Sequence, residues 1–404
     1  MIARLRDIPW RALDGLAPTL APALDAILSG ASAADVLDRL LRANPASTAA
    51  QRQVTSESLF GVGLWRRRLR AHVGDLPPLA LLACLARDLG GSADAPRLLG
   101  VDVPPARPLT DWRDRTSVPD WLADALLAAV GPEAEALADA LNVPGPVTVR
   151  VNRARCTRDA LRALLAAEHR DAEPGRFSPD ALHVTTRPAN LTATRAWRDG
   201  LFELQDEGSQ LLAQLVVARP GESVLDLCAG AGGKSLALAA RSTDVTLHAT
   251  DVDHERLERL RTRATRAGAT VRIHHALPAD LRVHHVLIDA PCSELGALRR
   301  GPDLRWRLDP AAFSRWPPLQ RELLDSAARH LVPGGTLVYA TCTLRSDEND
   351  DVVAAFLSAH PDFHRVRPPL PTGLLDAHGA LRTFPHRHGT DGFFGVVLQH
   401  ASTR

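Results

Sequence analysis

Two cysteines occupy similar positions after apolar runs that are predicted to be buried strands. Cys342 ends the run TLVYATC, and Cys292 follows the run VLIDA with Pro291 between them. Both cysteines therefore fall where the carboxyl ends of strands reach the edge of a sheet, and in open α/β sheets that edge binds ligands. A buried cysteine is usually a small hydrophobic residue. Two thiols beside Asp289 instead indicate a nucleophile and a second acid–base group in one crevice.

A glycine-rich turn precedes both cysteines in the chain. The segment SVLDLCAGAGGKSLALAA, 223–240, combines a predicted strand, a turn and a helix that begins near Lys234. Its glycines allow a ligand to approach the backbone and leave amide donors free at a helix N-terminus. The spacing is neither GxGxxG nor GxxxxGK[ST]. Asp251 ends the next predicted strand and could accept hydrogen bonds from both hydroxyls of a ribose. The pattern predicts a site for a nucleoside-containing cofactor.

Lys234 is the one lysine in the chain, since arginine makes up the rest of the 48 basic residues. A flexible ammonium group differs physically from a planar guanidinium. We expect Lys234 to lie near the cofactor and the thiols, where its positive charge would favour the thiolate of Cys342.

The loop after Cys292 is basic and contains an aromatic residue. An isolated cluster of this kind is more often a solvated surface, but here it follows a candidate catalytic cysteine. Arginines can contact phosphates and an aromatic ring can stack on an unpaired base. The loop residues predicted to bind a nucleic acid are Arg299, Arg300, Arg305, Trp306 and Arg307.

Hydrophobic periodicity predicts three parts. Residues 1–105 form an all-helical domain, and 112–200 form a small α+β module. From 201 to 404, a helix-like stretch at 202–218 leads into alternating strands and helices. This alternation predicts an α/β domain with a doubly wound, mostly parallel sheet.

Composition narrows the functional classes. The 404 residues carry a net charge of +1, so binding to a polyanion would depend on local clusters of charge. No apolar run approaches the roughly 20 residues of a membrane span, and the amino terminus does not resemble a signal peptide. Five cysteines without a CxxC pair predict neither disulfides nor a metal site. We expect a cytoplasmic monomer without metal or membrane partners.

Five segments together resemble the Sun/RsmB-like family of RNA cytosine carbon-5 methyltransferases, which use S-adenosylmethionine (SAM). They are QDEGSQ, DLCAGAGGKS, ATDVD, DAPCSELGALRRGPDLRW and YATCTLRSDEND, in family order over about 140–404. The resemblance implies a Rossmann-like catalytic domain, Cys342 as nucleophile, Cys292 in product release and Asp289 between cofactor and base. The implied SAM-binding residues are Cys228, Ala229, Gly230, Ala231, Gly232, Gly233, Lys234, Asp251 and Asp289. The helical segment resembles a NusB-like RNA-binding domain, which favours small-subunit ribosomal RNA as the substrate.

The sequence departs from the pattern of that family in three places. Gly230 and Ala231 stand where the family has alanine and proline, so the turn lacks the stiffness of proline. Glu294 replaces a glycine after the Cys-Ser pair and brings bulk and negative charge to the target pocket. His275 falls where an aspartate usually contacts the adenine.

Two other functions remain open at this stage. A DNA cytosine methyltransferase would use Cys292 as its nucleophile and would not need Cys342. A non-catalytic ribosome-assembly factor would bind RNA but would require neither cysteine, nor Asp289, nor Lys234.

Overall fold

The computed structural model describes residues 2–186, 190–242 and 244–402. The chain divides into two compact units. Unit 1 comprises 1–144 together with 298–310, and unit 2 comprises 145–297 together with 311–404. The sequence predicted divisions near residues 105 and 200, whereas the structure divides the chain after residue 144. Helices over 112–141 belong to unit 1, while the small sheet predicted within 112–200 shares unit 2 with the large sheet.

Unit 1 is helical in the residues described, as predicted. Its longest helix begins with a capping box in which Thr48 and Gln51 satisfy each other's backbone amides. Apolar side chains of this helix and its neighbours, including Leu59, Val62 and Leu81, are fully buried in one core. The helices of unit 1 are α1 (Ile2–Arg6), α2 (Ala17–Leu28), α3 (Ala33–Ala43), α4 (Ala49–Val73), α5 (Pro78–Cys84), α6 (Ala95–Leu99), α7 (Trp112–Thr116), α8 (Asp120–Val130) and α9 (Ala134–Leu141). A π-helical turn, Leu85–Leu89, continues α5.

The segment 298–310 is built into unit 1, although the sequence just before it belongs to unit 2. Asp303 accepts a hydrogen bond from the backbone amide of Ala33 at 3.1 Å. The guanidinium carbon of Arg66 lies 5.1 Å from the ring centroid of Trp306. The segment therefore carries structural contacts within the helical unit.

Arg305 is fully buried in unit 1, and the prediction that it binds RNA is wrong. Its Nη1 donates to Asn142 Oδ1 at 2.8 Å and its Nη2 donates to the carbonyl of Leu141 at 3.2 Å. Burial lowers the pKa of this guanidinium to about 10. Because no part of the side chain reaches solvent, it cannot contact a phosphate. Arg299 is also buried, whereas Arg300 and Arg307 are exposed and Trp306 is half-buried. For the exposed residues, RNA binding stays a prediction.

Unit 2 begins with a small antiparallel sheet in the order β2-β3-β1-β4. Val149 and Val151 of β1, one of the two inner strands, are buried against Leu161 and Leu165 of the helix that follows β1. The elements of this part are β1 (Val147–Val151), α10 (Arg158–Ala167), β2 (Ala172–Pro174), β3 (Ala181–Val184), α11 (Arg195–Arg198) and β4 (Phe202–Leu204).

The rest of unit 2 is the predicted Rossmann-like domain. Its sheet has the order β10-β12-β9-β8-β5-β6-β7, and β11 pairs with β12. The five neighbouring strands from β9 to β7 pair in parallel, and the remaining pairs are antiparallel. The strands are β5 (Ser223–Asp226), β6 (Thr246–Thr250), β7 (Arg272–His274), β8 (Val283–Asp289), β9 (Leu331–Thr341), β10 (Phe363–Val366), β11 (Leu381–Thr383) and β12 (Phe393–His400). The helices are α12 (Glu207–Gln214), α13 (Gly233–Arg241), α14 (His254–Ala267), α15 (Trp316–His330), α16 (Asp350–Ala359) and α17 (Pro385–His388).

One secondary-structure prediction was wrong in type. The stretch 202–218 was predicted as helix throughout, but its first residues form β4, which pairs with β1. Only Glu207–Gln214 is helical, and Asp206 caps this helix by accepting from the amide of Gly208. The apolar residues of β4 could not be separated from the helix by periodicity because the strand has only three residues.

Within the described part of the chain, no single helix is long and apolar enough to cross a membrane. One pair of helices, Ala49–Val73 and Pro78–Leu89, passes that test jointly, but the two are bent by 86°.

The burial of Arg305 yields a test of its structural role. We expect Arg305→Ala to lower the free energy of unfolding by about 3 kcal/mol, because it removes a packed side chain and leaves Asn142 Oδ1 unsatisfied. The melting temperature should fall by roughly 6–12 °C. A matched control is Arg300→Ala, on an exposed side chain, which should change stability by about 0.5 kcal/mol or less. Equal melting temperatures for the two variants would contradict this role for Arg305.

Candidate active site

Parallel pairing of β8 and β9 brings the two candidate catalytic cysteines together. Asp289 is in register with Ala340, so the chain leaves both strands at the same edge of the sheet. The Sγ atoms of Cys292 and Cys342 lie 3.4 Å apart. The backbone also joins the two loops, since the amide of Gly296 donates to the carbonyl of Cys342 at 2.9 Å. Both thiols can therefore reach one small group.

The surroundings of Cys342 favour its neutral thiol. Its hydrogen bond with Cys292, burial, and the negative charges of Asp289 and Glu294 together raise the pKa of Cys342 well above its ordinary value. The ammonium group of Lys234 forms an ion pair with Asp289, and its effect on the thiolate stays a prediction. Ionisation of Cys342 therefore costs free energy here.

Lys234 and Asp289 join the glycine turn to the thiols. Lys234 lies in the first turn of α13 and is buried, and its Nζ donates to Asp289 Oδ2. Asp289 is the last residue of β8 and is half-buried. Because the two charges are opposite, their attraction offsets part of the free-energy cost of burying the lysine. The pair places an acidic group three residues before Cys292 in the same crevice.

The glycine turn is shaped both by backbone conformation and by packing. Gly232 has a φ of 86°, and a Cβ atom on it would lie 2.1 Å from Leu260 Cδ1, so a side chain is excluded there. Gly230 has a φ of 52° and would meet nothing within 4 Å, so open space adjoins it. The amide of Gly230 donates to Asp251 Oδ2 at 2.8 Å, and the amide of Asp253 donates to Asp251 Oδ1 at 2.8 Å. These bonds fix the carboxylate of Asp251 beside the turn.

The other residues of the predicted cofactor loop serve as backbone anchors. Ala229 donates its amide to the carbonyl of Thr250 at 3.0 Å, and the carbonyl of Ala231 accepts from Arg263 Nη1 at 2.6 Å. Cys228 is half-buried. Its burial and, to a smaller extent, the nearby carboxylates raise the pKa of its thiol far above the ordinary value. Cys228 is therefore not an activated nucleophile.

The side chains of Glu294 and His275 are both exposed. Glu294 has a φ of 59°, in the left-handed region that favours glycine. The residue holds this conformation between Ser293 and Leu295, both of which are buried. His275 directly follows β7, as expected, and its ring meets that of His254 edge-on with centroids 4.6 Å apart. A contact of His275 with an adenine stays a prediction.

Two buried residues beyond β9 were missed as parts of the site. Acidic residues such as those of SDEND are typical of the first turn of a helix, but Glu348 and Asn349 of this segment are fully buried. Glu348 accepts hydrogen bonds from the amide and hydroxyl of Ser293. A signal was present in the sequence, since a carboxylate followed by an amide in the loop after a strand can hydrogen-bond neighbouring loops as well as cap a helix.

Among the described residues, no group of three or more His, Cys, Asp or Glu side chains could hold a metal ion.

Two known protein families match this chain, and the first match covers all the residues of the site described above. The family described as 16S rRNA methyltransferase RsmB/F matches residues 213–399. A second match, described as the ferredoxin-like domain of RsmF/B-like methyltransferases, covers residues 118–190.

Individual proteins show the same similarity. The probable ribosomal RNA small subunit methyltransferase B of Bacillus subtilis is 34% identical over 296 residues, which are 69% of this chain and 65% of that protein. The chain thus spans slightly less than two thirds of that relative. The crystal structure of PH0851 superposes with a TM-score of 0.77 at 25% identity and covers 97% of this chain and 99% of the other. The structure of NSun6 from Pyrococcus horikoshii with SFG has a TM-score of 0.64 at 19% identity, covers 70% of this chain and 99% of that one, and shows the shared fold.

Asp226 should make the free energy of unfolding of the protein depend on pH. Burial raises the pKa of Asp226 to about 7 from 3.8, although Ser235 Oγ donates to its carboxyl at 2.6 Å. Between about pH 4 and 7 the unfolded chain releases this proton while the folded chain keeps it, so the free energy of unfolding falls as pH rises. We expect Asp226→Asn to remove this part of the decline, so that its melting temperature gains on the wild type from pH 4.5 to pH 8.

The exposed Asp280 provides a control for that experiment. Asp280→Asn should follow the wild-type stability profile across the same pH range. A difference between Asp226→Asn and wild type that stays constant with pH would contradict a raised pKa at Asp226.

Proposed function

The chain belongs to the RsmB/F family of methyltransferases, and on that premise we propose that it methylates carbon 5 of a cytosine in small-subunit ribosomal RNA. The observation that carries the proposal is the 3.4 Å contact between Cys292 Sγ and Cys342 Sγ. Binding of RNA alone would require neither thiol, whereas a covalent route to carbon 5 has a task for each.

SAM is the cofactor of this family, and the residues at the glycine turn fit it. The open space beside Gly230 and the fixed carboxylate of Asp251 suit a ligand that bears a ribose. The turn leads into the N-terminus of α13, where amide donors point outward. Bound SAM supplies an electrophilic methyl group on a sulfonium centre. Asp251 would hold the ribose hydroxyls, and Asp289 would lie between the cofactor and the target base.

Cys342 performs the first chemical task. Carbon 5 of cytosine is a poor nucleophile, but addition of the Cys342 thiolate to carbon 6 converts the ring into an enamine that is nucleophilic at carbon 5. The raised pKa of Cys342 means that this thiolate must be generated at the moment of attack. Asp289 lies at the strand end beside the thiols, where its carboxylate can take up the proton of Cys342 and, once protonated, donate a hydrogen bond to N3 of the base as that atom gains electron density.

Cys292 performs the second task. After methylation the proton on carbon 5 must leave, and the bond between carbon 6 and Cys342 Sγ then breaks, with its electron pair returning to sulfur. A second acid–base group beside the adduct speeds this elimination. Cys292 Sγ touches Cys342 Sγ and is therefore within reach of the same ring.

The target cytosine must be unpaired or unstacked before it enters this crevice, which costs a few kcal/mol in a duplex. Of the basic loop, only the residues with exposed surface can contact RNA. Arg300 and Arg307 are exposed, and Trp306 is half-buried. Single-stranded segments of ribosomal RNA lower the cost further.

Separate substitution of the two cysteines tests the proposal. The wild type, incubated with SAM and small-subunit ribosomal RNA, should yield 5-methylcytidine on digestion to nucleosides. Cys342→Ala should lose turnover by about 10³-fold or more and form no covalent complex with RNA. Cys292→Ala should slow by about 10²–10⁴-fold while a covalent protein–RNA complex accumulates, because elimination loses its acid–base group.

Denaturing gels that resolve the covalent complex provide the second readout. The opposite pattern, with a complex in Cys342→Ala and none in Cys292→Ala, would indicate the mechanism of DNA cytosine methyltransferases. Absence of SAM binding by calorimetry in the wild type would instead indicate a non-catalytic RNA-binding protein.

A further inference from the structure

Two consecutive residues, Glu348 and Asn349, lie fully buried between the loops that carry the catalytic cysteines. They follow β9 just before α16, and the hydroxyl of Tyr339 in β9 donates to the backbone carbonyl of Glu348 at 2.6 Å. This bond ties the pair to the strand that ends at Cys342. The reaction steps described above use neither side chain.

The side chain of Glu348 holds the loop of Cys292. Its Oε2 accepts from the amide of Ser293 at 2.9 Å, and its Oε1 accepts from the hydroxyl of the same residue. Gln320 Nε2 donates both to Glu348 Oε2 at 3.1 Å and to the carbonyl of Pro291 at 3.0 Å. Glu348 is therefore bonded, directly or through Gln320, to both residues that flank Cys292.

The side chain of Asn349 does the same for Cys342. Its Oδ1 accepts from the hydroxyl of Thr341 at 2.6 Å, and its Nδ2 donates to the carbonyl of Thr343 at 3.1 Å. These are the two residues that flank Cys342. Each cysteine thus has both of its neighbours held by one of two adjacent buried side chains, directly or, for Pro291, through Gln320.

A further hydrogen bond links the loop of Cys292 to the loop of Cys342. Ser293 Oγ and Thr343 Oγ1 share a hydrogen bond of 2.7 Å. Buried hydrogen bonds of this kind fix loop conformation because an unmade one costs the full desolvation of its donor or acceptor. The separation of the two sulfur atoms is consequently determined by this network as well as by the pairing of β8 with β9.

We infer that Glu348 and Asn349 are positioning residues with separate tasks: Glu348 holds Cys292 for the release step, and Asn349 holds Cys342 for the attack on the base. The inference rests on the proposed function. A misplacement of about 1 Å can cost about 10²-fold in rate, so each substitution should slow the step of the cysteine whose loop it holds.

The two alanine variants should therefore fail at different stages. Glu348→Ala should behave like Cys292→Ala, with turnover reduced by about 10²-fold and a covalent protein–RNA complex that accumulates. Asn349→Ala should behave like Cys342→Ala, with a similar loss of turnover but slow formation of the complex and no accumulation. Glu348→Gln should recover most of the lost turnover, because its amide can accept from the Ser293 amide and donate to the Ser293 hydroxyl.

The measurement is single-turnover formation and decay of the covalent complex, with SAM binding and melting temperature recorded for each variant. Asp351→Ala, on an exposed acid in the first turn of α16, is the matched control and should follow the wild type. If the buried alanine variants do not fold, Ser293→Ala and Thr341→Val each remove one hydroxyl group of the network. They should show the same split between accumulation and slow formation at about tenfold size.

Wild type and Cys292→Ala distinguish the two possible failures. If neither methylates RNA nor forms a covalent complex, the proposed function is wrong and the inference falls with it. If both behave as expected while Glu348→Ala and Asn349→Ala slow the same step, or neither slows any step, only the separate positioning tasks are refuted.

Discussion

The contact between the sulfur atoms of Cys292 and Cys342 is the constraint on which the rest of the site depends. It exists because β8 and β9 are parallel neighbours whose register places Asp289 beside Ala340, so two loops leave the sheet at one edge. In an open α/β sheet that edge is the place where side chains from different strands converge on a ligand. The glycine turn after β5 opens at the same edge, and Lys234 connects it to Asp289.

The charges around the two thiols favour a resting state in which Cys342 is not ionised. The hydrogen bond with Cys292, burial and the neighbouring carboxylates all raise the pKa of Cys342, and Lys234 forms an ion pair with Asp289. Such a site has low reactivity towards chance electrophiles. Glu294, which follows Cys292 by two residues, is exposed and has a backbone conformation that suits glycine.

The convergence of the candidate catalytic residues could be predicted from the sequence because their positions depend on local signals. Apolar runs end at Asp226, Asp289 and Cys342, glycines mark the turn, and the structure brings these groups to one edge. The reasoning was wrong for Arg305, whose charge and neighbours are typical of a nucleic-acid contact. Burial of that guanidinium depends on Asn142 and Leu141, which are more than 160 positions away in sequence. The role of Glu348 was missed for the same reason, since its partners Ser293 and Gln320 belong to other elements.

The most direct test of two thiols acting on one ring uses a substrate that cannot complete the reaction. Small-subunit ribosomal RNA containing 5-fluorocytosine should be methylated by the wild-type protein and then remain attached, because fluorine on carbon 5 cannot leave as a proton does. Peptide mapping of the trapped complex by mass spectrometry should place the base on Cys342. Attachment at Cys292, or methylated RNA without any trapped protein, would contradict the assignment of the nucleophile and of the covalent route.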